Sequence, residues 1–91
     1  MAYEIILGGR VQGVGCRFYC AHVGRELNIR GSATNLPDGT VSVVLDTDDR
    51  EIAERYAIAA KDNLFGIHFS GKIISASVLA ANRPVHGDYD W

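Results

Sequence analysis

The sequence predicts an α+β fold in which two helices cover one face of an antiparallel β-sheet. The 91 residues are enough for one small domain over residues 1–91. Segments with the two-residue period of strands and segments with the helical period follow one another in the order βαββαβ. A tight-turn sequence separates the two middle strands, which makes them antiparallel neighbours. These observations favour a single sheet rather than two separate units.

The first strand and the first helix flank a glycine-rich loop. Residues 2–8 are rich in β-forming side chains, and the strand is predicted to stop at a glycine pair. Apolar side chains then recur at helical spacing, which predicts a helix starting at Cys16. These side chains are Cys16, Cys20, Val23 and Leu27. Asn28 and Gly31 are typical of a helix end.

A β-hairpin is predicted from residues 32–36 and 40–45. The connecting Pro37, Asp38 and Gly39 suit a tight turn, because proline presets φ, aspartate bonds its own backbone and glycine accepts a positive φ. Alternation in the second strand places three apolar side chains on one face. They are Val41, Val43 and Leu45.

The second half of the chain predicts another helix and another strand. Asp48 and Glu51 have the spacing of a capping box at a helix start. The apolar stripe that follows consists of Ile52, Tyr56, Ala60 and Leu64. After a connection over residues 62–70, a strand over residues 72–81 is predicted to have four residues on one face. They are Ile74, Ala76, Val78 and Ala80.

The tail over residues 88–91 is expected to add a short final strand. The complete order βαββαβ, with two helices that follow strands in a short chain, is typical of the ferredoxin-like split βαβ sandwich.

Composition and charge restrict the class of protein. Hydrophobic residues make up 47% and charged residues 22%, which is typical of a folded globular chain. The net charge of −2 argues against nucleic-acid binding, since a polyanion requires a basic surface. No apolar run reaches the about 20 residues of a membrane span, and the first residues lack the features of a signal peptide. We expect a cytoplasmic monomer with no nucleic-acid or membrane partner.

Cys16 and Cys20 are expected to be reduced thiols that are buried on the first helix. Residues four apart on a helix lie on one face, with Cα atoms about 6 Å apart. That separation falls within the disulfide range, but the nearly parallel Cα–Cβ vectors suit the bond poorly. Reduced thiols also fit the cytosol, where disulfides are rare.

The loop of residues 9–17 is the candidate binding site. Its glycines let consecutive backbone N–H groups point toward one centre, where a helix N-terminus adds positive potential. Arg17 opposes the helix dipole unless an anion lies between the two, and its guanidinium can bind two phosphate oxygens. The residues therefore predict a site for a phosphate-sized oxyanion, and the alternative is a tight turn that binds no ligand. The predicted ligands are the Arg17 side chain and the amides of Gln12, Gly13, Val14, Gly15, Cys16 and Arg17.

Two segments resemble the signature sequences of the acylphosphatase family. The first is Gly-Arg-Val-Gln-Gly-Val-Gly-Cys-Arg at residues 9–17. The second spans residues 31–41 and contains the pattern Asn-x-x-Asp-Gly-x-Val as Asn-Leu-Pro-Asp-Gly-Thr-Val at residues 35–41. Members of this family are small ferredoxin-like enzymes that hydrolyse the carboxyl–phosphate bond of acyl phosphates without metal or organic cofactor. The resemblance implies that Arg17 and Asn35 are catalytic. The family usually has a large aromatic residue where this chain has Cys16.

The implied substrate is a small-molecule acyl phosphate, and inorganic phosphate is both product and expected inhibitor. The loop amides and Arg17 would neutralise the phosphoryl charge. Asn35 would orient a water molecule, because an amide accepts a hydrogen bond but cannot take a proton, so the phosphate oxygens are the expected proton acceptor. No cofactor is expected. No metal is expected either, because the three histidines lack ligand spacing.

Two other classes of function stay open on the residues alone. A non-catalytic anion-binding or protein-interaction domain of the same fold would keep the loop without turnover. An RNA-binding module of this fold would need exposed aromatic side chains on the central strands. The corresponding positions here are aliphatic, at Ile5, Leu7, Val41 and Val43.

Overall fold

The computed structural model describes residues 2–91 and confirms the predicted α+β fold. The strands are β1 (Tyr3–Arg10), β2 (Gly31–Asn35), β3 (Val41–Leu45), β4 (Lys72–Ala80) and β5 (Tyr89–Asp90), and the helices are α1 (Cys16–Glu26) and α2 (Arg50–Asp62). The strands form one antiparallel sheet in the order β4-β1-β3-β2-β5, with both helices on one face. Within residues 2–91, no helix is long and apolar enough to cross a membrane.

The core lies between the sheet and the two helices. The apolar face predicted for β3 lies in this core, since Val41, Val43 and Leu45 are fully buried, and Ile5 and Leu7 of β1 are fully buried beside it. The stripe predicted for α1 is confirmed as well: Cys20 and Val23 are fully buried, and the residues at its two ends pack against the same core. Fully burying an apolar side chain of this size contributes about 1.5–3 kcal/mol.

The start of α2 differs from the prediction. Asp49, and not Asp48, is the N-cap residue, and its Oδ1 accepts a hydrogen bond from the backbone N–H of Glu51 over 2.9 Å. The Thr47 hydroxyl in turn accepts a hydrogen bond from the Asp49 N–H over 3.1 Å. This bond holds the turn before the helix, so that α2 starts one residue later than predicted. The short side chain of Asp49, two residues before Glu51, therefore caps the helix in place of the predicted capping box.

The apolar stripe predicted for α2 is partly wrong. The helix ends at Asp62, and Asn63 adopts a left-handed conformation with φ of 49°. Leu64 therefore lies beyond the helix and is 63% exposed. The buried face is formed instead by Ala53, Tyr56, Ala57, Ala59 and Ala60.

The prediction that Ile74 shares a face with Ala76, Val78 and Ala80 is also wrong. Gly8 pairs with Ser75 and Gly9 pairs with Ile73, so an irregularity in the ladder leaves Ile74 without a partner residue. One extra residue reverses the side-chain alternation on either side of it. Ile73 is buried in consequence, whereas Ile74 is 66% exposed.

The link between β4 and β5 carries the chain from one edge of the sheet to the other. Arg83 in this link forms an ion pair with Glu4 over 3.0 Å, and Glu4 also accepts a hydrogen bond from the Ser42 hydroxyl. Glu4 and Ser42 are buried although they alternate with the core residues, so the link covers the sheet face opposite the helices. Along this path, residue 88 comes to lie beside the end of β2.

The tail forms the predicted short final strand. Tyr89 pairs with Ala33, and the Trp91 indole N–H donates to the carbonyl of Ile29 over 2.8 Å. A Cβ atom at Gly24 of α1 would collide with the Trp91 ring, so the absence of a side chain there lets the indole pack against the helix. The tail is thereby held at the edge of the sheet beside α1.

Candidate active site

The loop between β1 and α1 leaves the start of α1 uncapped by protein. Gly13 and Gly15 have positive φ angles of 73° and 79°, which glycine adopts without strain. Gly15 is the N-cap residue, and within residues 2–91 no side chain caps α1 or places an acidic group in its first turn. The first N–H groups of a helix have no intrahelical partner. An anion could therefore satisfy these groups, as the sequence predicted.

A cavity of about 300 Å³ lies against this helix start. It is lined by Val11, Gly13, Gly15, Cys16, Arg17, Phe18, Asn35, Asp88 and Tyr89. The structure thus brings Arg17 and Asn35 together at one cavity, although they belong to different elements. Gly13, Gly15 and Cys16 also border it, whereas Gln12 and Val14 do not.

The side chain of Gln12 binds the protein itself, whereas the sequence prediction concerned its backbone N–H. Its side-chain amide donates to the carbonyl oxygens of Leu36 (2.7 Å) and Thr40 (2.8 Å). The side chain therefore ties the loop to the β2–β3 hairpin. Val14 borders a neighbouring cavity that it shares with Phe18 and Phe69.

Asn35 is the last residue of β2 and pairs with Val41 of β3. The turn after it is held by Asp38, whose Oδ1 accepts hydrogen bonds from the backbone N–H (3.0 Å) and the hydroxyl (2.6 Å) of Thr40. These bonds lower the pKa of Asp38 below its ordinary value. The tight turn and the Gln12 bonds together fix the strand end from which Asn35 reaches the cavity.

Both cysteines are buried, as predicted. Their Sγ atoms lie 3.8 Å apart on α1. The hydrogen bond from the Cys20 thiol lowers the pKa of Cys16, and the same bond together with burial raises the pKa of Cys20. Cys16 is 2% exposed and belongs to the core, so its side chain anchors the end of the loop to the core.

Asp88 is a residue of the cavity that the sequence did not indicate. Its Oδ2 lies 3.4 Å from Nη1 of Arg17 and accepts a hydrogen bond from the backbone N–H of Asn35 over 3.1 Å. Tyr89 borders the same cavity, with its ring centroid 5.9 Å from that of Phe18. The only local signal was the acidic and aromatic composition of the tail, which does not assign a partner.

Histidine, cysteine and carboxylate side chains meet only in small groups in the part of the chain that the structure describes. In that part of the chain, no group of three or more of them could hold a metal ion.

The chain is similar to known proteins in both sequence and fold. A family model described as Acylphosphatase matches residues 3–64. An acylphosphatase-like protein of Methanocaldococcus jannaschii is 44% identical over 70 residues, which cover 71% of this chain and 46% of that protein. An acylphosphatase of Lactococcus lactis is 42% identical over 53 residues, covering 58% of this chain and 55% of that protein. The chain thus spans about half the length of the curated relatives it matches.

Solved structures of similar fold carry the same family name. The crystal structure of an acylphosphatase from Bacillus subtilis has a TM-score of 0.69 and 25% identity, and covers 91% of this chain and 87% of that one. An acylphosphatase from Coxiella burnetii has a TM-score of 0.66 with 16% identity, covers 94% of this chain and 88% of that one, and supports the fold alone. The family model covers well over half of the sequence, and both signature segments lie within its match. The chain belongs to the acylphosphatase family.

Proposed function

We propose that this protein is an acylphosphatase, which hydrolyses acyl phosphates to a carboxylate and inorganic phosphate. The proposal depends on one observation: Arg17 and Asn35 line the same cavity beside the uncapped start of α1. A cation and a polar amide at an unsatisfied helix N-terminus suit a phosphoryl group and a water molecule. Family membership supports the same reaction.

The phosphoryl group of the substrate would bind in the concave loop of residues 12–17. Backbone N–H groups there and the Arg17 guanidinium would neutralise its two negative charges. Because these donors are fixed before substrate arrives, they stabilise charge in the transition state without reorganisation. The carboxylate leaving group would depart toward the open side of the cavity.

Asn35 would position the attacking water. The water oxygen bonds to phosphorus while the bond from phosphorus to the carboxylate oxygen breaks, and that oxygen keeps the electron pair. An amide can orient the water through its carbonyl oxygen but cannot accept the proton. The proton therefore passes to a phosphate oxygen. The acyl phosphate needs no carboxylate base because its leaving group is already a weak base.

Phosphate release from acetyl phosphate, measured with and without EDTA, tests this proposal. We expect turnover that EDTA leaves unchanged and that inorganic phosphate inhibits competitively. Activity that EDTA abolishes and a divalent ion restores would contradict the cofactor-free mechanism. Binding of inorganic phosphate without turnover would identify a non-catalytic anion-binding domain instead.

The remaining proposals concern the state of the protein. We infer a monomer, located in the cytoplasm, with no nucleic-acid or membrane partner. The net charge of −2 supports the absence of a nucleic-acid partner, because a polyanion requires a basic surface. Light scattering at assay concentration should give the mass of one chain. A dimer mass, or retention on an immobilised nucleic acid at physiological salt, would contradict the inference.

A further inference from the structure

The carboxylate of Asp88 joins the two groups that the proposed mechanism uses. A single oxygen, Oδ2, lies 3.4 Å from Nη1 of Arg17 and 3.1 Å from the backbone nitrogen of Asn35. Arg17 lies in the first turn of α1, Asn35 ends β2, and no direct hydrogen bond between them is present among residues 2–91. The carboxylate is therefore the bridge between the two elements at the cavity.

The tail holds this carboxylate in place from several directions. The backbone N–H of Asp88 donates to the Thr34 hydroxyl over 3.1 Å. A side chain on Gly87 would collide with the same hydroxyl, so glycine permits this close approach. The following residues pair with β2, at Tyr89 with Ala33 and at Asp90 with Ser32. Asp88 is thus fixed relative to the strand that carries Asn35.

Arg17 needs such a partner because it lies in the first turn of α1. A cation near a helix N-terminus is repelled by the helix dipole, so without an anion the guanidinium would turn toward solvent. The Arg17 side chain is 44% exposed and has room for that movement. Asp88 engages Nη1 and leaves other N–H donors of the guanidinium free for phosphate oxygens.

We propose that Asp88 is a positioning residue, which holds the Arg17 guanidinium beside Asn35 before substrate binds. This inference rests on the proposed function. Its mechanism is preorganisation: a guanidinium that is already oriented loses less freedom when the transition state forms. Both side chains of the ion pair are partly exposed, and that of Asp88 is 41% exposed. Removing the ion pair should therefore change the free energy of unfolding little.

The test compares Asp88→Asn with Asp90→Asn. Both changes remove one carboxylate from the same tail, but Asp90 accepts hydrogen bonds from Gly87 and contacts His86 rather than the two cavity residues. We expect kcat for acetyl phosphate to fall at least tenfold in Asp88→Asn with KM nearly unchanged. We expect Asp90→Asn to stay within threefold of the unmodified protein. Thermal unfolding should give the same midpoint for Asp88→Asn and the unmodified protein.

A second readout does not depend on turnover. The side-chain Nη–H signal of Arg17 in a ¹H–¹⁵N spectrum, assigned by its loss in Arg17→Lys, should exchange slowly in the unmodified protein and faster in Asp88→Asn, because Nη1 is the nitrogen that contacts Asp88. If the unmodified protein hydrolyses no acyl phosphate, the proposed function fails, and this signal alone decides the position of Arg17. Equal exchange in both proteins would overturn the inference.

Kinetic outcomes can overturn it as well. A loss in kcat of less than tenfold in Asp88→Asn would mean that Arg17 needs no such support. A rise in kcat/KM together with tighter phosphate inhibition would show that the carboxylate competes with the substrate anion. An equal loss in Asp90→Asn would show that only docking of the tail matters.

Discussion

The side-chain amide of Gln12 donates a hydrogen bond to the carbonyl oxygen of Leu36 over 2.7 Å. A second bond from the same nitrogen reaches Thr40 over 2.8 Å. The two segments that resemble the family signatures are therefore in contact through one side chain. This contact fixes the distance between the loop and the strand end that carries Asn35.

Replacing Gln12 with leucine should lower both stability and turnover. The change removes two hydrogen bonds, each worth about 0.5–1.5 kcal/mol of unfolding free energy, although both carbonyls keep one backbone N–H donor. Loop and hairpin would then move relative to each other, so kcat should fall about tenfold or more. Chemical denaturation and steady-state kinetics measure the two effects. An unchanged kcat would show that the bonds hold the fold but not the site.

Arg17→Lys should reduce kcat/KM by about 10²-fold or more, because the charge is kept while the planar fork is lost. Arg25→Lys is the matched control, since Arg25 lies exposed in the last turn of the same helix. Steady-state kinetics on acetyl phosphate compare the two variants. A value for Arg17→Lys within threefold of the unmodified protein would remove Arg17 from its role as phosphate ligand.

Asn35→Ala should lower turnover strongly while competitive inhibition by phosphate stays nearly unchanged. Orientation of water is needed in the transition state, whereas binding of the anion belongs to the loop and Arg17. Asn82→Ala, an exposed change in the link before β5, serves as the control. A parallel loss of phosphate affinity and turnover in Asn35→Ala would place Asn35 among the anion ligands instead.

Cys16→Phe should raise the denaturation midpoint modestly and leave the chemistry in place. The family usually has a ring here, and its loss removes buried contacts worth about 3–5 kcal/mol where neighbours cannot collapse. Phe18 and Phe65 do not fill the space, because they are 63% and 40% exposed. Urea denaturation of both proteins measures the change. A large loss of stability would mean that the core has closed around the thiol.

Tyr19→Phe should change the alkaline stability of the protein. Burial raises the pKa of Tyr19 to about 12, and its hydroxyl donates to the carbonyl of Ala60 near the end of α2 over 2.6 Å. Losing that bond should cost about 1 kcal/mol at neutral pH. Because the unfolded phenol ionises near pH 10, the stabilisation is complete below pH 10 and disappears as the pH rises to about 12.

Urea unfolding of unmodified and Tyr19→Phe proteins from pH 8 to 12 measures this difference. Tyr56 is common to both proteins, and burial is the largest cause that raises its pKa, with Tyr19 the last cause, so most of its contribution cancels in the comparison. A difference between the two proteins that stays constant up to pH 12 would show that Tyr19 ionises equally in the folded and unfolded states.

Local patterns in the sequence were sufficient for the order of the elements and for the glycine-rich turn between β1 and α1. The helical spacing of Cys16, Cys20 and Val23 predicted the buried face of α1, because burial within a regular element follows its period. The turn residues after Asn35 predicted the hairpin, since their backbone preferences are intrinsic. Glycines next to Arg17 predicted an anion site, because backbone freedom and charge at a helix start are also local properties.

Tertiary structure decided what no local pattern contains. The irregular pairing of β1 with β4 exposed Ile74, because a shift in register depends on both strands and not on the alternation in one of them. The position of Asp88 follows from the order of the strands: it contacts Asn35 across 53 residues and Arg17 across 71. The sequence determined which groups could bind a phosphate, and packing of distant segments determined which groups hold them in place.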